Sequence, residues 1–93
     1  MKVRLTEEAL ADLEGIRDWV AKDSPAAAER VVLRIFQTLR LLASFPRMGR
    51  AGRNPGMRER PVTGLPYIVV YEVDDAADVL TVTAVFHGSR HRA

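Results

Sequence analysis

The chain has 93 residues, a length that fits a single domain spanning residues 1–93. Its composition, 47% hydrophobic and 28% charged, is typical of a globular protein. The lack of cysteine excludes disulfides, iron–sulfur clusters and cysteine nucleophiles, and two histidines are too few to build a metal site, so we expect no metal and no cofactor. No apolar run approaches the ~18 residues of a membrane helix and no secretory pattern opens the chain, so we expect a cytoplasmic protein with no membrane partner.

The net charge of +2 conceals an uneven distribution of charge. Residues 47–60, here named the arginine segment, carry five arginines against one acid. Residues 61–86 carry four acids and no base. Arginine favours bidentate contact with carboxylate or phosphate. The segment is therefore either a docking surface for an acidic partner or nucleic acid, or a solvated loop.

The first predicted elements are a strand and a helix. Val3 and Leu5 alternate with basic residues, the period of a half-buried strand. Thr6 suits an N-cap, and the apolar residues after it recur every three or four positions. These features predict a helix from Glu7 to about residues 22–23.

A second helix is predicted directly after the first. Ser24 followed by Pro25 is an N-cap with proline at the first helical position. A second apolar stripe extends to about Ser44, and the helix must end before Pro46 because the residue preceding proline disfavours helical backbone. The break between the two helices is short, which predicts an antiparallel helical hairpin.

The remaining chain changes to the two-residue period of strands. Residues 46–56 have the proline and glycine content of a loop. Strands are predicted at residues 57–63, 67–73 and 79–87, and the last two are joined by a tight hairpin. The predicted fold class is α+β: an N-terminal strand, a helical hairpin and then a three-stranded antiparallel meander, all in one sheet.

One group of side chains is compatible with catalysis. Arg58 and Arg60 alternate on a predicted strand and so share a face, and His87 and Arg90 lie where the last strand ends. If these strands were neighbours, the arginines would hold phosphate charge and the imidazole would serve as general acid in phosphodiester cleavage. Alternatively, the arginines pair with carboxylates of this chain, such as Glu59, or of a partner.

The second predicted helix carries more apolar residues than one stripe needs. Leu33, Phe36, Leu41 and Phe45 are spread around it. One sheet and one short helix are too small to cover all four, so we expect exposed apolar surface that a partner segment covers.

A series of motifs, together covering residues 3–90, resembles the ParE/RelE superfamily, the toxins of bacterial type II toxin–antitoxin modules, and is most similar to its ParE branch. The matching stretches, in order, are Ala9-Leu10-Ala11-Asp12-Leu13 with Ile16, Ser24-Pro25-Ala26-Ala27-Ala28, Phe45-Pro46-Arg47-Met48-Gly49-Arg50, Arg58-Glu59, Gly64-Leu65-Pro66-Tyr67 with Val70-Tyr71, and His87-Gly88-Ser89-Arg90. The fold that this resemblance implies agrees with the one predicted from periodicity.

The resemblance implies one of two activities. ParE-like toxins inhibit DNA gyrase without a bond-breaking site of their own, whereas RelE-like toxins cut messenger RNA on the ribosome. The RelE branch places catalytic lysines and arginines on its middle strands, but this chain has no lysine after Lys22 and has Ile68 where that branch commonly has arginine. We therefore expect a gyrase inhibitor. Candidate target-binding residues are Arg47, Arg50, Arg53, Arg58, Arg60, His87 and Arg90. The alternative is a ribonuclease using Arg58, Arg60, His87 and Arg90.

The resemblance also implies a protein partner. Toxins of this superfamily are neutralised by a cognate antitoxin, here ParD-like, whose C-terminal segment wraps the toxin in a hetero-oligomeric complex. We expect that segment to cross the helical hairpin and a sheet edge. Candidate antitoxin-binding residues are Leu33, Phe36, Leu41 and Phe45.

Overall fold

The computed structural model describes residues 1–89, which form two helices and five strands. In chain order the elements are β1 Lys2–Leu5, α1 Glu7–Ala21, α2 Pro25–Ser44, β2 Arg50–Ala51, β3 Met57–Pro61, β4 Tyr67–Asp74 and β5 Val79–His87. Both helices and the three C-terminal strands begin where the sequence predicts. Within this described part, neither helix has both the length and the apolar character needed to cross a membrane.

Both helices begin at the predicted caps. The Thr6 hydroxyl accepts a hydrogen bond from the Ala9 backbone N–H at 3.1 Å, and the Ser24 hydroxyl accepts one from the Ala27 N–H at 3.1 Å. Each cap satisfies a backbone donor that the first helical turn leaves without a partner. Because only three residues separate α1 from α2, the helices pack against each other as the predicted hairpin.

The sheet differs from the prediction at both of its edges. Its strand order is β1-β5-β4-β3-β2, and β1 pairs with β5 in parallel, with Lys2 opposite Val79 and Leu5 opposite Val82. The predicted three-stranded antiparallel meander is correct for β3, β4 and β5 but incomplete. The sheet is mixed because β1 runs parallel to its neighbour β5, whereas β3, β4 and β5 pair antiparallel. The helical hairpin crosses one face of the sheet between β1 and the remaining strands.

The other edge carries a strand that the sequence did not predict. β2 comprises only Arg50 and Ala51, which pair antiparallel with Glu59 and Arg58 of β3. Two residues are too few to produce a two-residue hydrophobic period, and both are exposed. The expected loop at residues 46–56 therefore contains a short edge strand.

The core lies between the two helices and one face of the sheet, here named the helix-covered face. Its members are the buried residues Ala9, Leu13, Ile16, Ile35, Leu39, Leu42, Val62, Tyr67, Val69, Tyr71, Leu80, Val82 and Val85. Along β4, buried Tyr67, Val69 and Tyr71 alternate with half-buried Ile68 and Val70. Ile68 and Val70 lie on the opposite face of the sheet, here named the open face, which neither helix covers.

Candidate functional site

Two arginines of the arginine segment form ion pairs with acids of this chain. Arg47 pairs with Asp75 of the turn between β4 and β5. Arg50 lies 3.6 Å from the Glu59 carboxylate on the neighbouring strand. All of these side chains except Glu59 are largely exposed, and such surface pairs contribute about 0–1 kcal/mol each. Both arginines therefore remain accessible to a partner that offers a stronger anionic contact.

Arg58 has a different role, because its guanidinium is bound to backbone. It donates a hydrogen bond to the Gly49 carbonyl at 3.0 Å and a longer one to the Arg47 carbonyl at 3.4 Å. Arg58 is opposite Tyr71 in the β3–β4 register, which places both on the helix-covered face. Its charge is thus directed at the loop after α2 rather than at solvent.

The remaining two arginines of the segment, Arg53 and Arg60, have no ion pair or hydrogen bond through their side chains within residues 1–89. Arg53 is exposed in the turn that joins β2 to β3. Arg60 is half-buried and lies opposite Val69 on the helix-covered face. Of the two, Arg53 is the more accessible cation.

His87 ends β5 in a defined orientation. Its ring lies edge-on to Tyr67, with centroids 5.5 Å apart, and its Nδ1 accepts a hydrogen bond from the Ser89 backbone N–H at 3.2 Å. The Ser89 hydroxyl lies 2.9 Å from the same nitrogen. These contacts hold the ring at the mouth of a groove of about 400 Å³ between α1 and β5, which Asp12 also lines.

The structure does not bring the arginines of β3 next to His87. β4 lies between β3 and β5, and Arg60 and Arg58 are offset from His87 by two and four residues along the strands, so their backbones are more than two strand spacings, about 10 Å, apart. Arg58 is in addition held by the Gly49 carbonyl. The fourth member of the proposed ribonuclease group, Arg90, lies outside the described residues. Across residues 1–89 there is also no cluster of three or more acidic or histidine side chains that could hold a metal ion.

The four apolar residues singled out on and after α2 are exposed. The exposed fractions of Leu33, Phe36, Leu41 and Phe45 are 59%, 41%, 42% and 60%. The fractions for Leu10 and Trp19 of α1, which the sequence analysis did not single out, are 49% and 54%. Both fall close to the apolar stripe of α1, and only the packing of α2 shows which side of that stripe faces solvent.

Four of these residues form two patches on different flanks of α2, and Leu33 lies between the flanks, about 60° from Phe36 around the helix axis. Phe36 and Leu10 line a groove between the two helices. Leu41 is five residues after Phe36, so it lies about 140° further around the helix axis. It adjoins Phe45, which in turn lines a shallow apolar depression with Pro46 and Met48. A single straight helix laid in the groove therefore covers one patch and leaves the other.

Comparison with known proteins gives a family for this fold. The model of the ParE toxin of the type II toxin–antitoxin system, parDE, matches residues 3–92. A relative from Sinorhizobium fredii, putative toxin Y4kP, is 40% identical over 81 residues, 87% of this chain and 84% of that protein. Toxin RelE2 from Caulobacter vibrioides is 36% identical over 85 residues, 91% of this chain and 92% of that protein.

A solved structure agrees with the sequence matches. The chromosomal ParDE toxin–antitoxin system from P. aeruginosa contains a chain that superposes with a TM-score of 0.81 at 23% identity, covering 94% of this chain and 95% of that one. The fold and the two sequence relatives define a bacterial toxin of the ParE/RelE superfamily. The family model covers nearly the whole chain, and the protein therefore belongs to the ParE toxin family of type II toxin–antitoxin systems.

Proposed function

We propose that this toxin inhibits DNA gyrase by binding it and has no bond-breaking site of its own. The observation that carries the proposal is the composition of the open face. Ile68 is opposite Phe86, and Val70 is opposite Ala84, so the centre of this face is apolar. On β3 the residue opposite Val70 is Glu59, an acid. Cleaving RNA requires cations that stabilise the phosphate charge, and among residues 1–89 the centre of this face has none.

The positions of Arg58 and Arg60 support the same proposal. Both lie on the helix-covered face, and Arg58 is bound to the loop backbone. A ribonuclease built from these residues would have to release Arg58 from Gly49 and transfer its charge across β4 toward His87. Binding by an exposed loop requires no such rearrangement, and Arg53 is already exposed at the loop tip.

An antitoxin is the proposed partner of the apolar surface. The two patches on the flanks of α2 expose large side chains that a soluble partner would bury on binding. The solved relative from P. aeruginosa is a ParDE toxin–antitoxin system. We propose that a ParD-like antitoxin places a helix in the groove of Leu10 and Phe36 and continues over α2 to Leu41 and Phe45. Such a segment folds as it binds, and toxin and antitoxin form a hetero-oligomer.

Supercoiling of relaxed plasmid by a purified bacterial gyrase tests the proposed activity. Added toxin should block supercoiling or raise the amount of gyrase-linked cleaved DNA. Arg53→Ala should raise the half-inhibitory toxin concentration, since it removes an exposed cation of the segment that no carboxylate within residues 1–89 pairs with. Arg30→Ala, an exposed arginine on α2, is the matched control and should inhibit like the unmodified toxin. Undiminished supercoiling at a large molar excess of folded toxin would reject gyrase as the target.

A further inference from the structure

The loop that joins α2 to β2 is held by two side chains from the sheet. Tyr71 of β4 and Arg58 of β3 are opposite each other in the antiparallel register. Both reach the backbone of residues 46–49, which contain the start of the arginine segment. We name this arrangement the loop clamp, and it consists of Tyr71, Arg58, Pro46 and Gly49.

The Tyr71 hydroxyl is the centre of the loop clamp. It donates a hydrogen bond to the Pro46 carbonyl at 2.7 Å and accepts one from the Gly49 backbone N–H at 2.9 Å. The whole side chain is buried, with an exposed fraction of 0%. In a site shielded from water, losing the tyrosine hydroxyl leaves the Gly49 N–H and the Pro46 carbonyl without a hydrogen bond. The contact is therefore costly to break.

Gly49 is shaped to fit against this tyrosine. A Cβ atom at position 49 would lie 2.4 Å from the Tyr71 hydroxyl oxygen and 2.8 Å from its Cε1, closer than any stable contact. The Arg58 guanidinium binds the carbonyl of the same glycine at 3.0 Å. Both backbone polar groups of Gly49 are therefore held by side chains, and no larger residue fits in its place.

These contacts order a loop that would otherwise have many conformations. Apart from a turn hydrogen bond from the Met48 N–H to the Phe45 carbonyl, the stretch before β2 has no regular structure. Ordering a free loop on binding costs about 1–2 kcal/mol of backbone entropy per residue, and a loop already ordered avoids that cost. The clamp fixes where Arg47 emerges and where the chain turns toward Arg50 and Arg53.

We propose that Tyr71 and Arg58 are positioning residues that hold the arginine segment in the conformation that binds the toxin's target. Tyr71 is buried and uncharged, so it acts on the target only through the loop. The inference rests on the proposed function in one respect, that the arginine segment meets the target. It holds for any target that this segment contacts.

The test uses Tyr71→Phe, which removes one oxygen and keeps the ring. Hydrogen exchange of the purified toxin should show the Gly49 amide exchanging about tenfold faster, because its acceptor is gone. The amount of folded toxin per cell that arrests growth in half of the induced cells should rise several-fold. Thr38→Val, which removes a buried hydroxyl that bonds the Arg34 carbonyl of its own helix, is the control and should change neither quantity.

A second substitution alters the loop clamp on its loop side. Gly49→Ala should weaken toxicity like Tyr71→Phe. Because both substitutions break the same contact, the double variant should be no less toxic than the less toxic of the two single variants. Arg58→Met supplies a third break if Gly49→Ala fails to fold. Full toxicity of Tyr71→Phe with accelerated Gly49 exchange would overturn the proposed role, and unchanged exchange would overturn the clamp itself. Growth arrest does not depend on which target is hit, so failure of the gyrase proposal would appear separately, as unmodified toxin that arrests cells but leaves supercoiling intact.

Discussion

The Asp12 carboxylate of α1 accepts a hydrogen bond from the backbone N–H of Val85 in β5 at 2.9 Å. The contact lies just past the end of β1, which reaches only as far as the pair Leu5 and Val82. Beyond that pair, no strand within residues 1–89 lies on this side of β5, and an unpaired edge is prone to pairing with other chains. Asp12 therefore replaces a missing strand partner and fastens the first helix to the sheet.

Substitution of Asp12 should destabilise the fold. Asp12→Ala leaves the Val85 N–H without an acceptor, and the free energy of unfolding should fall by about 1–3 kcal/mol. Asp12→Asn should cost less because its amide oxygen still accepts the bond. Urea denaturation followed by circular dichroism measures both. Asp18→Ala, an exposed acid on the same helix, is the control, and a loss for Asp12→Ala no larger than its own would contradict the role of this contact.

The two helix caps should differ in their contribution to stability. The Thr6 hydroxyl caps α1 and also donates to the Thr83 carbonyl at 3.3 Å, whereas the Ser24 hydroxyl makes only its capping hydrogen bond within the described part of the chain. Replacing a cap by alanine costs about 1 kcal/mol. Thr6→Ala should therefore lower the free energy of unfolding more than Ser24→Ala, and Thr6→Ser should restore most of the loss. Equal effects of the two alanine variants in the same denaturation experiment would show that the Thr83 contact contributes nothing.

The turn between β4 and β5 depends on left-handed backbone at Asp78, whose φ is 57°. A β-branched residue in this conformation costs about 1–2 kcal/mol, whereas glycine adopts it freely. Asp78→Val should lower the thermal midpoint, and Asp78→Gly should leave it unchanged or raise it. Ala77→Val, at the neighbouring exposed position, is the control. Equal midpoints for the two valine variants would contradict the strain at Asp78.

The apolar patches should govern neutralisation rather than stability. Phe36→Asp and Leu41→Asp alter the two flanks of α2 at similar exposure, so each should leave the fold intact and weaken binding of the cognate antitoxin by about 2 kcal/mol or more. Co-expressed antitoxin should then fail to restore growth. Ala26→Asp, at an exposed position in the first turn of α2 ten residues before Phe36, is the control. If only Phe36→Asp weakened binding, the antitoxin would occupy the helical groove without crossing α2.

Local sequence patterns predicted those parts of the fold that local contacts determine. Thr6 and Ser24 begin the helices as expected because a cap acts within three residues of itself. The partner of β1 was not predictable in this way, since Lys2 pairs with Val79 at the other end of the chain. β2 was missed because a two-residue strand has no period of its own.

For the candidate site, sequence patterns predicted which residues are exposed or charged but not which of them contact one another. Excess apolar residues on α2 predicted exposure, since one buried stripe cannot use them all, and Leu33 and Phe36 are exposed. Charge counting located the arginine segment but could not separate Arg58, which binds Gly49, from Arg53, which is exposed. That distinction depends on the β3–β4 register, which places Arg58 beside Tyr71 under the loop.

The order in which macromolecular synthesis stops after induction tests the central claim most directly. The toxin is induced in susceptible cells, and labelled thymidine and methionine incorporation are followed minute by minute. A gyrase inhibitor should stop thymidine incorporation first, while methionine incorporation continues. Earlier collapse of methionine incorporation would contradict the account, and it would make His87 and the arginines of β3 candidates for an RNA-cleaving site.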